Sequence, residues 1–76
     1  IDIGGIGAAT QDDLHTGIRA LLPSTSGSMH VKNSTVWDLA TALRFIESMG
    51  YTGVYSIEAR GHEATRAIYD VILDTI

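Results

Sequence analysis

The chain is 76 residues long, 45 % hydrophobic and 18 % charged with a single proline, a composition that excludes a disordered tail or a fibrous repeat. With no cysteine it has no disulfide framework, no thiolate zinc site and no thiol nucleophile. Five Lys and Arg against nine Asp and Glu give a net charge of −4, which argues against nucleic acid as a partner, and apolar runs of no more than four residues argue against a membrane span.

Nothing in the sequence reads as a secretory signal, so a cytoplasmic location is expected. The chain opens on Ile1 and not on Met, which predicts a piece trimmed from something longer. A chain of this size buries only about 60 % of the surface its unfolded form exposes, so it needs a compact helical core, a metal or a partner.

Taken in chain order, residues 1–3 form a short strand candidate cut by the start of the chain. A helix is predicted over residues 11–22, where Leu14, Ile18, Leu21 and Leu22 recur at i, i+4, i+7 and i+8 and Pro23 marks the stop. Thr10 and Asp13 have capping-box spacing, with Asp in place of the usual Glu. A serine-rich turn at residues 24–28 leads to a second strand over residues 29–32.

A second helix is predicted over residues 36–49, with Val36, Leu39, Ala40, Leu43 and Ile46 as its stripe. Thr35 and Asp38 repeat the cap spacing and Gly50 supplies the stop. A third strand covers residues 54–58, rich in β-branched and aromatic side chains. A third helix covers residues 63–75, with Ala64, Ala67, Ile68, Val71, Ile72 and Thr75 on one side. Strands alternating with amphipathic helices predict an α/β fold whose strands are parallel and joined by helical crossovers.

One polar residue stands at or near the end of each strand. His30 follows Asp2 by 28 residues and Glu58 follows His30 by 28 again, close to the repeat of about 31 residues per unit in a (β/α)8 barrel. In parallel sheets, sites form at the carboxyl ends of the strands, which lie about 4.8 Å apart. At equal heights on neighbouring strands, two carboxylates and an imidazole would converge on one point. Such a set suits Mn2+, Mg2+, Co2+ or Zn2+, and a cation would relieve the repulsion between the acids. Taken singly, each residue also fits a cap, a solvated carboxylate or a structural histidine; the regular spacing is what joins them.

The stretch Ser28-Met29-His30-Val31-Lys32-Asn33, a helix, and then Met49-Gly50-Tyr51-Thr52-Gly53-Val54-Tyr55-Ser56-Ile57-Glu58 resembles the last third of the sugar-phosphate isomerase/epimerase family, the xylose-isomerase-like TIM barrels. The opening Asp2-Ile3-Gly4 is similar to the strand that precedes these motifs in the family. The resemblance covers almost the whole chain. It implies the C-terminal part of a single TIM-barrel domain, about three βα units carrying strands six to eight, with the remainder of the barrel outside this chain.

By position, the resemblance makes Asp2, His30 and Glu58 ligands of a divalent metal ion, Mn2+ first among the candidates, with a fourth ligand, a Glu, upstream of Ile1. It makes Glu58 the catalytic acid/base of a sugar isomerase or epimerase. Such an enzyme moves a proton beside the carbonyl of a small-molecule sugar or polyol, through an enediolate. Lys32 matches a lysine that contacts substrate oxygen or phosphate. Arg60, two residues past Glu58, joins it as a substrate-binding candidate, with a surface ion pair as the alternative. The chain departs from the family pattern at Gly5, where many members carry His or Asn, and at Asn33, where Asp is common.

Two rival functions follow from the same residues: a metal-dependent phosphodiesterase of the abasic-site endonuclease type, which the acidic balance disfavours, and a non-catalytic barrel fragment that binds a partner. A dinucleotide site at Gly5-x-Gly7 lacks its third glycine, since Thr10 stands there. His62, Trp37, His15, Tyr51 and Tyr55 are read as loop or packing residues. Three strands alone leave exposed edges, so the chain is expected to pack on the rest of the barrel, on a second chain, or on itself as a homo-oligomer.

Overall fold

A computed structural model describes residues 1–24 and 27–75. It shows a small α/β arrangement of three helices and two parallel strands: α1 (Gln11–Leu21), β1 (Ser28–Val31), α2 (Leu39–Ser48), β2 (Val54–Ile57) and α3 (His62–Thr75). Two short 3-10 turns, Ile3–Ile6 and Leu22–Ser24, flank α1. No helix among the described residues is long and apolar enough to cross a membrane.

The first predicted strand is reduced to a single parallel bridge between Asp2 and His30, closed by the His30 N–H donating to the Ile1 carbonyl at 2.8 Å. Ile3 already turns into the 3-10 segment. The cause is local: the Asp2 carboxylate accepts hydrogen bonds from the Gly4 and Gly5 N–H groups, bending the chain where a third strand residue would lie.

α1 forms where its periodicity places it. Thr10 caps it, its Oγ1 accepting from the Asp13 N–H at 3.1 Å, while Leu14 and Ile18 are fully buried. The predicted turn at residues 24–28 includes Thr25 and Ser26, which lie outside the described residues.

α2 starts three residues later than its apolar pattern predicts. Its cap is Asp38 and not Thr35: Asp38 Oδ2 accepts from the Thr41 N–H at 2.9 Å and from the Thr41 hydroxyl at 2.7 Å. The preceding stretch is held elsewhere. The Ser34 hydroxyl accepts from the Val36 N–H. The Gln11 side-chain amide makes two hydrogen bonds to the Asp38 backbone, its oxygen accepting from the N–H and its nitrogen donating to the carbonyl. Trp37 therefore enters the core, while Val36 is left about half exposed.

α3 begins at His62. Its stripe is only partly used: Ile68 and Ile72 are buried, whereas Ala64 and Ala67 are exposed.

The helices share one side of the sheet. Met29 and Val31 of β1 are fully buried and join Leu14, Ile18, Leu43, Ile46 and Ile68 in a single apolar cluster. The strands pair with Ser28 opposite Val54, Met29 opposite Tyr55, His30 opposite Ser56 and Val31 opposite Ile57. Alternation along each strand then sends Ser28, His30 and Lys32, with Ser56 and Glu58, to the face without helices.

The register is fixed at the strand starts. The Val54 N–H donates to the Gly27 carbonyl at 2.8 Å, and a Cβ built on Gly53 would collide with that carbonyl and with the Tyr51 hydroxyl. Tyr51 and Tyr55 meet edge to face at 5.3 Å, and Tyr55 donates to Glu47 Oε1 at 3.1 Å. Burial, reinforced by the Glu47 carboxylate, raises the pKa of the Tyr55 hydroxyl above the usual tyrosine range.

Candidate functional site

The ends of β1 and β2 bring His30 and Glu58 together on the open face. His30 Nδ1 lies 4.0 Å from Glu58 Oε2, with the two side chains 52 % and 56 % exposed. Two ligands sharing an ion at about 2.1 Å each, at angles between 90° and 109°, stand about 3.0–3.4 Å apart. The pair is therefore somewhat wider than a shared ion requires, and small rotations of two exposed side chains close the difference.

Asp2 lies level with His30 through the parallel bridge. Its Oδ1 serves the turn, accepting from the Gly4 N–H at 3.0 Å and the Gly5 N–H at 3.3 Å, while Oδ2 makes no hydrogen bond among the described residues. The expected convergence at one height is not what the register shows. The row across the sheet is Asp2, His30 and Ser56, and Glu58 stands two residues further along β2. Equal sequence spacing does not give equal height, because the segment between β1 and β2 is two residues shorter than an even repeat requires. Among the described residues no three His, Asp or Glu side chains are gathered closely enough to hold an ion as they stand.

Beside the pair, a cleft of about 410 Å3 opens at the strand ends, lined by Lys32, Asn33, Glu58 and Arg60 with Ala64 and Ile68 of α3. Lys32 and Arg60 make no hydrogen bond or ion pair among the described residues. The other three cations are engaged: Arg19 lies over the Phe45 ring, Arg44 reaches the Thr41 hydroxyl, and Arg66 pairs with Asp70. The cleft thus offers two uncommitted cations, one amide and one carboxylate at the carboxyl ends of parallel strands.

Two residues of this region, Ser56 and Asn33, stand in the quoted motifs but were not among the candidate site residues. Ser56 lies opposite His30 on the same face, a placement that the two-residue period back from Glu58 already contains. Asn33 lines the cleft next to Lys32. His62 opens α3, and His15 stacks on Phe45 at 4.3 Å on the helix side of the molecule.

Compared with protein-family models, with curated proteins and with solved structures, the chain matches none.

Proposed function

We propose that this chain is the C-terminal part of a metal-dependent (β/α)8-barrel enzyme, carrying strands six to eight, that isomerises or epimerises a sugar or sugar-like polyol in the cytoplasm. The observation that carries the reading is the pairing of His30 with Glu58, 4.0 Å apart on the open face at the ends of two parallel strands, with Asp2 bridged to His30 on its other side. The donor set fits a hard or borderline divalent ion such as Mn2+: one imidazole, the carboxylate of Glu58 and the free Oδ2 of Asp2. A fourth ligand would come from outside the chain.

When bound, the ion supplies Lewis acidity to a substrate carbonyl. Glu58 takes the proton from the adjacent carbon; returned to the neighbouring carbon it interconverts aldose and ketose, whereas inverting a centre needs a second acid, from outside this chain, to protonate the same carbon on its opposite face. Lys32 and Arg60 hold substrate oxygens in the cleft. The rest of the barrel, or a second chain, covers the open face and the outer edge of β2.

The test is Mn2+ titration of the isotope-labelled chain. Paramagnetic broadening is expected first at His30, Glu58 and Asp2, with Glu58→Gln and His30→Ala each weakening binding about tenfold or more. Broadening centred elsewhere, or unchanged affinity in both variants, defeats the reading.

A further inference from the structure

Gln11 and His15 stand one turn apart on α1 and meet the start of α2. The orientation of the Gln11 amide is fixed by its backbone partner. Its Oε1 accepts from the Asp38 N–H, and an N–H can only donate, so the other end of the amide is the nitrogen. That Nε2 donates to the Asp38 carbonyl at 3.2 Å and lies 3.0 Å from His15 Nε2. An amide nitrogen only donates, so His15 Nε2 is the acceptor, and the ring is the neutral tautomer with its proton on Nδ1. Phe45 of α2 holds the ring in this pose, stacked at 4.3 Å with the planes 6° apart.

A proton on His15 breaks this set. Imidazolium donates from both nitrogens, so Nε2–H would point at an NH2 group. Turning the Gln11 amide over offers His15 an oxygen, but it sets nitrogen against the Asp38 N–H and oxygen against the Asp38 carbonyl. Two bonds are lost for one gained. The positive ring would also share Phe45 with the Arg19 guanidinium, which lies 5.4 Å from the centroid of that ring. The charged groups around His15 are Asp12 and Arg19 on α1, with Asp38 and Arg44 on the side of α2. None is ion-paired to it among the described residues. Thr41 first, and Arg44 after it, hold the Asp38 carboxyl below its ordinary 3.8. Asp38 therefore stays ionised between about pH 5 and 8, the range in which imidazole changes charge.

We propose that His15 is a proton-operated latch on the contact between α1 and α2: the neutral ring locks the Gln11 amide onto the Asp38 backbone, and protonation releases residues 33–38, which run from the end of β1 to the start of α2. Asn33 at one end of that segment lines the strand-end cleft, and Trp37 near the other is buried in the core. Acidity thus loosens one wall of the cleft from the helix side of the sheet. The latch is independent of the function proposed above, because none of its residues is a proposed ligand or acid/base.

The test is NMR of the isotope-labelled chain in steps between about pH 8 and 5. At the upper end the His15 ring nitrogens should report the Nδ1–H tautomer, with NOEs from the Gln11 side-chain amide to the Asp38 N–H. As the His15 ring gains its proton, those NOEs should fade. Water exchange of the Asp38 amide, corrected for the intrinsic effect of pH, should rise about three- to tenfold. The midpoint should follow the His15 ring and not the separately resolved rings of His30 and His62. His15→Phe keeps the stack and has no proton to gain, so its Asp38 profile should be flat. Gln11→Glu should reverse the sign: a carboxylate accepts from the Asp38 N–H and from imidazolium alike, so acidification slows the exchange. A merely structural contact predicts neither the flat profile nor the reversed one.

The proposal is overturned if the Nε2–H tautomer is found at the upper end, if Asp38 exchange stays constant while His15 titrates, if the step survives in His15→Phe, or if Gln11→Glu follows the wild-type profile. Should His15→Phe fail to fold, the Gln11→Glu profile decides alone. A missing Mn2+ response at His30 and Glu58 with these results intact removes the metal reading and leaves the latch.

Discussion

Asp38 gives a sharp test of how the β1-to-β2 crossover is held. Replacing it with alanine removes the two bonds that its Oδ2 accepts from Thr41, at 2.9 and 2.7 Å, and leaves intact the backbone N–H and carbonyl that Gln11 grips. Loss of an N-cap costs about 0.5–2 kcal/mol, typically about 1. A domain of this length has a total stability of about 4–11 kcal/mol, so the loss is a sizeable fraction. In urea denaturation at pH 7, followed by helical circular dichroism, the midpoint should fall by about 0.5–1 M.

The pH dependence gives a second handle on the same residue. The Thr41 hydroxyl, then the Thr41 N–H and the Arg44 guanidinium, hold the Asp38 carboxyl below its ordinary pKa of 3.8. A depressed folded-state pKa means that the charge-dependent stability is present above the unfolded value and drains away as pH falls through the folded one. Asp38→Asn keeps an acceptor and loses the charge. Its stability gap to the wild type should therefore close below about pH 4. A midpoint for Asp38→Ala equal to the wild type, or a gap for Asp38→Asn that persists unchanged to pH 2, would refute the cap as the anchor of α2.

Leu43, fully buried in α2 beneath the sheet, should cost about 2–5 kcal/mol when cut to alanine, enough to unfold much of the chain at 37 °C, as thermal melting would report. The outer edge of β2, where Tyr55 and Ile57 direct their N–H groups away from β1, should drive association. Analytical ultracentrifugation of the 76-residue chain is expected to show self-association, and a monodisperse monomer that melts cooperatively would contradict it.

The helices were legible because burial is periodic: Leu14 and Ile18 in α1, and Leu43 and Ile46 in α2, are both the apolar positions of the sequence and the centre of the core. Parallel pairing followed from the alternation of strands and helices. What was not legible depends on contacts between distant residues. The start of α2 is decided by Gln11 gripping Asp38, a bond across 27 positions that no local pattern signals. The opening strand was lost to the affinity of the Asp2 carboxylate for the two N–H groups that follow it. The candidate site was legible as a set of residues but not as a level: spacing named His30 and Glu58, and only the pairing of His30 with Ser56 shows that the carboxylate stands one pleat higher.

The bare meeting of Gly53 with the Gly27 carbonyl acts as the zero mark of a ruler laid along the second strand. Every residue beyond it is counted from that point. Sliding the strand by one notch would turn Glu58 inward among the helices, where its charge has no partner; sliding it by two would bring Glu58 level with the imidazole and carry Ser56 out of the row. The distance between acid and imidazole is thus governed from the far end of the sheet, by the absence of a single methyl group.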